Sequence, residues 1–161
     1  MYFIKIDNFI NNDQKKRKIL YNSYFWDKWI GEQDFDIDFL NKIFCNYNNY
    51  NIVFMCKNLS KNINSIIGIM VYKKLYTTNN KNCYELSLIA KQKNSIYKKI
   101  GEKYIEYLKN HFKNCNFVLI DDSEILNYYS KLGFTKLKNL KLVKYKNILN
   151  TYKNEIYELI F

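Results

Sequence analysis

Proline is absent from these 161 residues, alanine and arginine occur once each, and glycine occurs four times. Asn, Lys, Ile, Tyr and Phe fill 97 positions, and all five have A/T-rich codons. A biased genome replaces Arg by Lys, and Gly or Ala by larger residues, wherever selection permits. A small residue that survives therefore marks a constrained position. For glycine the constraint lies in the backbone, since it alone takes positive φ or close backbone approach without steric cost. The single alanine, Ala90, and two of the glycines, Gly101 and Gly133, fall in one stretch from Tyr84 to Phe134.

Other absences exclude whole classes. Cys45, Cys56, Cys83 and Cys115 form no Cys-x-x-Cys pair, and the one histidine, His111, stands far from most of them, so no zinc site can be assembled and no metal is expected. No run approaches the length of a membrane span, and the opening MYFIKIDNFI lacks the long apolar segment of a secretory leader. The expectation is an intracellular, reduced protein, nuclear or cytoplasmic, not secreted, with no transmembrane segment and no disulfide framework. The charge of +11 would attract polyanions, but nearly all of it is lysine and no zinc knuckle, RNP-like strand motif or basic heptad accompanies it. Direct nucleic-acid binding therefore ranks last. Lys15-Lys16-Arg17-Lys18 resembles a short nuclear-import cluster, and equally a charged helix start.

What is present argues for a packed globule: 48% hydrophobic and 18% aromatic residues, with Asn-rich patches at Asn46 to Asn51 and Asn79 to Asn82 reading as loops. One domain over residues 1–161 is expected. Tyr2 to Ile6 reads as a strand, Asp13 to Ile30 and Phe35 to Phe44 as amphipathic helices, and Asn51 to Cys56 with Ser65 to Tyr76 as an antiparallel hairpin about the polar turn Lys57 to Asn64. In Cys83 to Lys91, Glu85, Ser87 and Ile89 alternate with Leu86, Leu88 and Ala90, the mark of a strand. From Lys98 the period changes, and Ile100, Tyr104, Ile105, Leu108 and Phe112 draw one apolar stripe on a helix. Phe117 to Ile120 is a short buried strand, Ser123 to Lys131 a helix, and Leu137 to Lys146 the expected last strand. An α/β layer fold with a mixed sheet fits this order.

The strand, loop and helix around Lys91 to Lys99 make an anion site, because the first N–H groups of a helix are unpaired and its dipole favours negative charge. Lys98-Lys99-Ile100-Gly101 places two cations and a glycine at that entrance, which suits a pyrophosphate; a merely solvated Lys pair is the plainer reading.

The segment Glu85 to Lys109, ELSLIAKQKNSIYKKIGEKYIEYLK, resembles without a gap the stretch EIVFCAxxxxEQVRGYGxxLMxHLK of the GNAT acetyltransferase superfamily, in particular the nuclear histone acetyltransferases of the SAGA catalytic-subunit type. A second block, Leu119 to Lys136, resembles that family's YADNYAIGYFKKQGFTK and repeats Asp122, Tyr128, Lys131, Gly133, Phe134, Thr135 and Lys136, with Tyr129 for Phe. Ile66-Ile67-Gly68-Ile69 is similar to the family's VIGG strand. The resemblance covers roughly residues 50 to 150. It departs at Lys99 for the first Gly of the phosphate loop, Ile96 for its leading Gln, Ile125 for an Ala and Glu124 for a Tyr.

The resemblance implies a GNAT fold with a mixed, mostly antiparallel central sheet, splayed strands and flanking helices. It implies acetyl-CoA as co-substrate and acetyl transfer by direct attack to a lysine amine, with a histone tail as expected acceptor. No reader module is present, so chromatin targeting would come from adaptor subunits. It places Glu85 as general base and Tyr128 near the thiolate leaving group. Ile89, Ala90 and Lys91 would hold the pantetheine arm and the oxyanion by backbone groups, Lys98, Lys99, Ile100 and Gly101 the pyrophosphate, and Tyr129 the cofactor side. A base is needed because a free lysine titrates near ~10.4 and its ammonium has no lone pair. A half-buried carboxylate flanked by Tyr84 and Leu86 suits that role, since burial disfavours its charged form; a solvent-facing strand Glu is the plain alternative. Tyr128 and Tyr129 read equally well as core aromatics, and Gly133 as a helix cap before Phe134. A small-amine or other protein acetyltransferase, or a non-catalytic binding subunit of this fold, are the competing functions.

Overall fold

The longest uninterrupted alternation in the chain, Cys83 to Lys91, forms the strand that the expectation assigns it, and six more strands assemble with it into one sheet. The computed structural model describes residues 1–29, 38, 41–45, 49–75, 82–113, 115–121, 126–136 and 155–160. In chain order these give β1 (Tyr2–Lys5), α1 (Ile6–Ile10), α2 (Gln14–Leu20), α3 (Ser23–Trp26), β2 (Asn51–Cys56), β3 (Ile66–Leu75), β4 (Cys83–Lys91), α4 (Ile100–His111), β5 (Asn116–Asp121), α5 (Leu126–Lys131), β6 (Thr135–Lys136) and β7 (Glu155–Ile160). The sheet order is β1-β2-β3-β4-β5-β7-β6. It is mixed, with β1–β2, β5–β7 and β6–β7 antiparallel and β4–β5 parallel. Two units divide the chain: Met1–Val71 with Leu88–Gly101, and Tyr72–Ser87 with Glu102–Phe161.

In the first unit, β1 pairs with β2 from Tyr2↔Cys56 to Lys5↔Val53. The strand stops one residue short of expectation, because Ile6 opens α1, which ends at Asn11 in the left-handed region that Asn tolerates. The single helix expected over Asp13 to Ile30 is two. Asp13 caps α2 by accepting from the Lys15 and Lys16 amides at 2.9 and 3.1 Å, and Asn22 caps α3 by accepting from the Tyr24 amide at 3.0 Å. A side-chain acceptor inside an apolar-periodic run thus ends one helix and starts another. The periodicity still finds the core: Leu20, Trp26 and Trp29 are fully buried, whereas Ile19 and Tyr24 lie outside. The Trp26 indole donates to the Leu20 carbonyl at 3.0 Å, and the two Trp rings sit 5.0 Å apart. Of the expected helix Phe35 to Phe44, the described residues are Asp38, which is helical, and the π-helical turn Asn41–Cys45.

In the second unit the stripe of α4 behaves as read, with Tyr104, Ile105 and Leu108 buried. Phe112 joins Tyr72, Tyr84 and Phe117 in an aromatic cluster with centroids 5.0 to 5.9 Å apart, edge-to-face except for the stacked Tyr84–Phe117 pair. Such pairs each add about 0.5–1.5 kcal/mol beyond burial. The strand expected at Leu137 to Lys146 lies outside the described residues. A strand that the sequence reading did not assign, β7, pairs with β5 over six rungs from Asn116↔Ile160 to Asp121↔Glu155. It carries an acid inside: Glu158 is 3% exposed and accepts from the Asn116 amide at 2.8 Å, satisfying a buried polar group that breaks any simple apolar pattern.

The α5 terminus is closed as expected. Gly133 has φ +96°, its amide donates to the Ser130 carbonyl at 3.0 Å, the Phe134 amide donates to the Tyr129 carbonyl at 3.1 Å, and Phe134 is buried. This is the paired-bond helix stop that positive φ makes possible. Gly133→Ala is expected to lower unfolding free energy by about 1 kcal/mol, with Gly133→Asn losing less, as measured by urea denaturation.

Candidate active site

Alternation along β4 puts Glu85, Ser87, Ile89 and Lys91 on one face, all half-buried, and Leu86, Leu88 and Ala90 on the other, all buried. Glu85 also stands on the last rung of the parallel ladder with β5, opposite Val118. The strand runs on to Lys91 past that rung.

Within the second unit the Glu85 side chain keeps 13% of its surface exposed. Its surroundings are not the purely apolar ones expected. The Lys73 ammonium of β3 lies 2.9 Å from Oε2, and the Ser87 hydroxyl donates to Oε1 at 3.3 Å. Oε2 is closed off from solvent. Such a pair is the usual means by which a carboxylate is kept away from water, since removing one partner strands the other charge. Neither partner was singled out in the sequence. Ser87 was legible as a same-face neighbour two residues along a strand, whereas nothing distinguishes Lys73 among the many lysines.

Tyr128 and Tyr129 stand side by side in α5, ring centroids 5.4 Å apart. Tyr128 is 42% exposed, yet burial of its hydroxyl, and then the negative charge of Glu102, push its ionisation above the usual phenol range. Tyr129 is buried and packs edge-on against Phe134 at 5.7 Å. Burial also raises Tyr72, Tyr84 and Tyr107.

The loop after β4 belongs to the first unit and is tied down there. The Gln92 side chain donates to the Ile66 carbonyl at 2.9 Å, and the Lys93 amide donates to the Lys28 carbonyl at 2.8 Å. The helix begins at Ile100, where the expected loop, Lys91 to Lys99, ends. Lys98 and Lys99 are exposed at its entrance, while Ile100 and Gly101 are buried. Lys99 has φ +60°, the left-handed conformation that glycine takes freely. The residue that replaces the family's glycine thus keeps a glycine's backbone, at a cost of about 1–2 kcal/mol for an L side chain.

No protein-family model and no curated protein matches the sequence. Solved structures do match. Tetrahymena GCN5 aligns with a TM-score of 0.66 at 16% identity, over 99% of this chain and 96% of that one. The catalytic domain of the Tetrahymena GCN5 histone acetyltransferase in complex with coenzyme A gives 0.58 at 16%, over 99% and 92%. A Desulfovibrio desulfuricans protein ascribed to the GNAT acetyltransferase family gives 0.58 at 12%, over 99% and 98%. The chain has the GNAT fold. An aminoglycoside 6'-acetyltransferase type Ii aligns as well, at 0.59 and 14% identity over 99% and 97%. The GNAT fold is therefore common to proteins named for different acceptors.

Two outcomes follow from this geometry. Lys99→Gly is expected to raise unfolding free energy by up to about 1 kcal/mol, by relief of the left-handed penalty net of the greater freedom of unfolded glycine, in urea titrations. The raised tyrosines favour folding fully below the ordinary phenol value of about 10, and that contribution is lost as pH rises through their folded values. Stability should fall on the alkaline side, with phenolate absorbance developing at higher pH in the folded protein than in urea.

Proposed function

We propose that this chain is an acetyl-CoA-dependent N-acetyltransferase that moves acetyl directly to a lysine amine of a protein, with histone tails as acceptor and Glu85 as general base. The observation that carries the proposal is the placement of Glu85: a shielded carboxylate on the last β4–β5 rung, at the position that the sequence resemblance reserves for the base.

The residues present fit the co-substrate. Its pyrophosphate would meet the exposed Lys98 and Lys99 at the entrance of α4, where Lys99 takes the left-handed conformation and the helix dipole favours an anion. Its pantetheine arm would run along the backbone of Ile89, Ala90 and Lys91, on β4 past the ladder with β5. When bound, acetyl-CoA supplies the activated acyl group. Glu85 accepts the proton that frees the amine lone pair, and Ser87 orients the carboxylate through Oε1. Tyr128 would contact the departing thiolate, which leaves as the thiol with the second amine proton. Tyr129 fixes the helix that presents Tyr128. The Lys73 ammonium over Oε2 favours a second reading, a non-catalytic binding subunit of the GNAT fold whose base is permanently occupied. The aminoglycoside acetyltransferase among the structural matches supports a small-amine acceptor as the alternative substrate.

Calorimetry with acetyl-CoA and acetylation of histone peptides beside polyamines separate these readings. Glu85→Gln should lower turnover on histone peptides by about 10²–10⁴-fold while leaving acetyl-CoA binding in place. Unchanged turnover removes Glu85 as base, faster transfer to polyamines shifts the acceptor to small amines, and a folded protein that fails to bind acetyl-CoA excludes both enzymatic readings.

A further inference from the structure

Lys73 occupies, in the molecule itself, the place that an acceptor amine must reach. A lysine is acetylated by base catalysis when its nitrogen comes within reach of the base, about 2.6–3.2 Å directly or through one water. Lys73 Nζ is 2.9 Å from Oε2 of Glu85, an ion pair by distance. That oxygen is buried from solvent and has no hydrogen-bond partner of good geometry, so Lys73 is the cation that faces it. Both residues sit on sheet strands, β3 and β4, with side chains 22% and 13% exposed, so the approach is built into the fold and not into a loop.

We propose that Lys73 is a self-acetylation site, modified in cis through Glu85. The inference rests on the acetyltransferase reading above. One ammonium proton passes from Nζ to Glu85, the freed lone pair forms the Nζ–C bond at the thioester carbonyl, and the C–S bond breaks. The second amine proton leaves with the thiolate as free coenzyme A thiol, and Glu85 returns the first to water. The product amide is neutral, so it can no longer pair with the carboxylate, and the ion pair that closes Oε2 is dissolved.

Lys74, next in the chain and exposed, is the internal control. Uncatalysed acetylation needs a free, accessible amine, so a paired and shielded Lys73 must react more slowly than Lys74 by chemistry alone. The full chain is incubated with isotopically labelled acetyl-CoA, and fragment-ion mass spectrometry separates the two lysines. Catalysis in cis should label Lys73 about tenfold or more faster than Lys74, at a rate unchanged by dilution of the protein, as expected of a reaction made intramolecular. Glu85→Gln should abolish the preference, with acetyl-CoA calorimetry on the variant checking that it is folded. Labelling of Lys74 at an equal or greater rate, or a Lys73 rate that grows with protein concentration, overturns the proposal even without the variant. Binding of acetyl-CoA and transfer to histone peptide with Lys73 unlabelled would reject self-acetylation alone. Failure to bind acetyl-CoA would reject it together with the enzymatic reading.

Discussion

The period-two geometry of β4 is the constraint on which the candidate site depends. Alternation from Glu85 to Lys91 buries Leu86, Leu88 and Ala90 on one face and so leaves no choice about where Glu85, Ser87, Ile89 and Lys91 go. A slip of one residue would bury the acid and lysine and expose the apolar set, so register is fixed by burial and not by any one contact. The proposed base and the residues proposed for the pantetheine arm belong to this one strand segment, Cys83–Lys91. The parallel ladder to β5 is printed into this arrangement as three rungs, Cys83↔Asn116 to Glu85↔Val118, and Glu85 closes it.

Elements with one dominant period were readable directly. β2 and β4 have the bounds that apolar patterning predicts, and the α4 stripe is buried where the 3.6-residue period puts it. Failures arose where a polar side chain acts on backbone. Asn22 splits one periodic stretch into α2 and α3 by capping the second, a function that hydropathy does not register. β7 has no family resemblance to mark it, and the Asn116 side-chain amide, distant in sequence, is one partner that accommodates Glu158 in the interior. In the site, Glu85, Ser87 and their strand neighbours share one pattern in a single segment. Lys73 depends on the alignment of β3 with β4, which no single segment contains.

Lys99 holds the left-handed conformation that glycine takes freely, at the end of a loop whose start is anchored by two hydrogen bonds, Gln92 to Ile66 and Lys93 to Lys28. Each is worth on the order of 1 kcal/mol, comparable with the left-handed penalty that a lysine incurs. The side chain then adds a cation where an anionic ligand is expected, so part of the backbone cost is matched by charge.

The Lys73–Glu85 pair poses the converse problem, because the contact that makes a shielded carboxylate tolerable also covers its lone pair. Removing the ammonium outright would strand the carboxylate, a change that costs about 3–5 kcal/mol for a buried pair. Exchange is different. An incoming lysine ammonium has the same charge, the same three donors and the same flexible stem as Lys73, so it can take over Oε2 while Lys73, 22% exposed, turns to water. Charge on the carboxylate is matched before and after the exchange, and only the hydration of the two ammoniums changes place. An acceptor amine that arrives neutral lacks that match and must displace Lys73 without replacing its charge. On the proposed reading, with Glu85 as base, the pair would favour acceptors that bind as cations and lose their proton at the carboxylate.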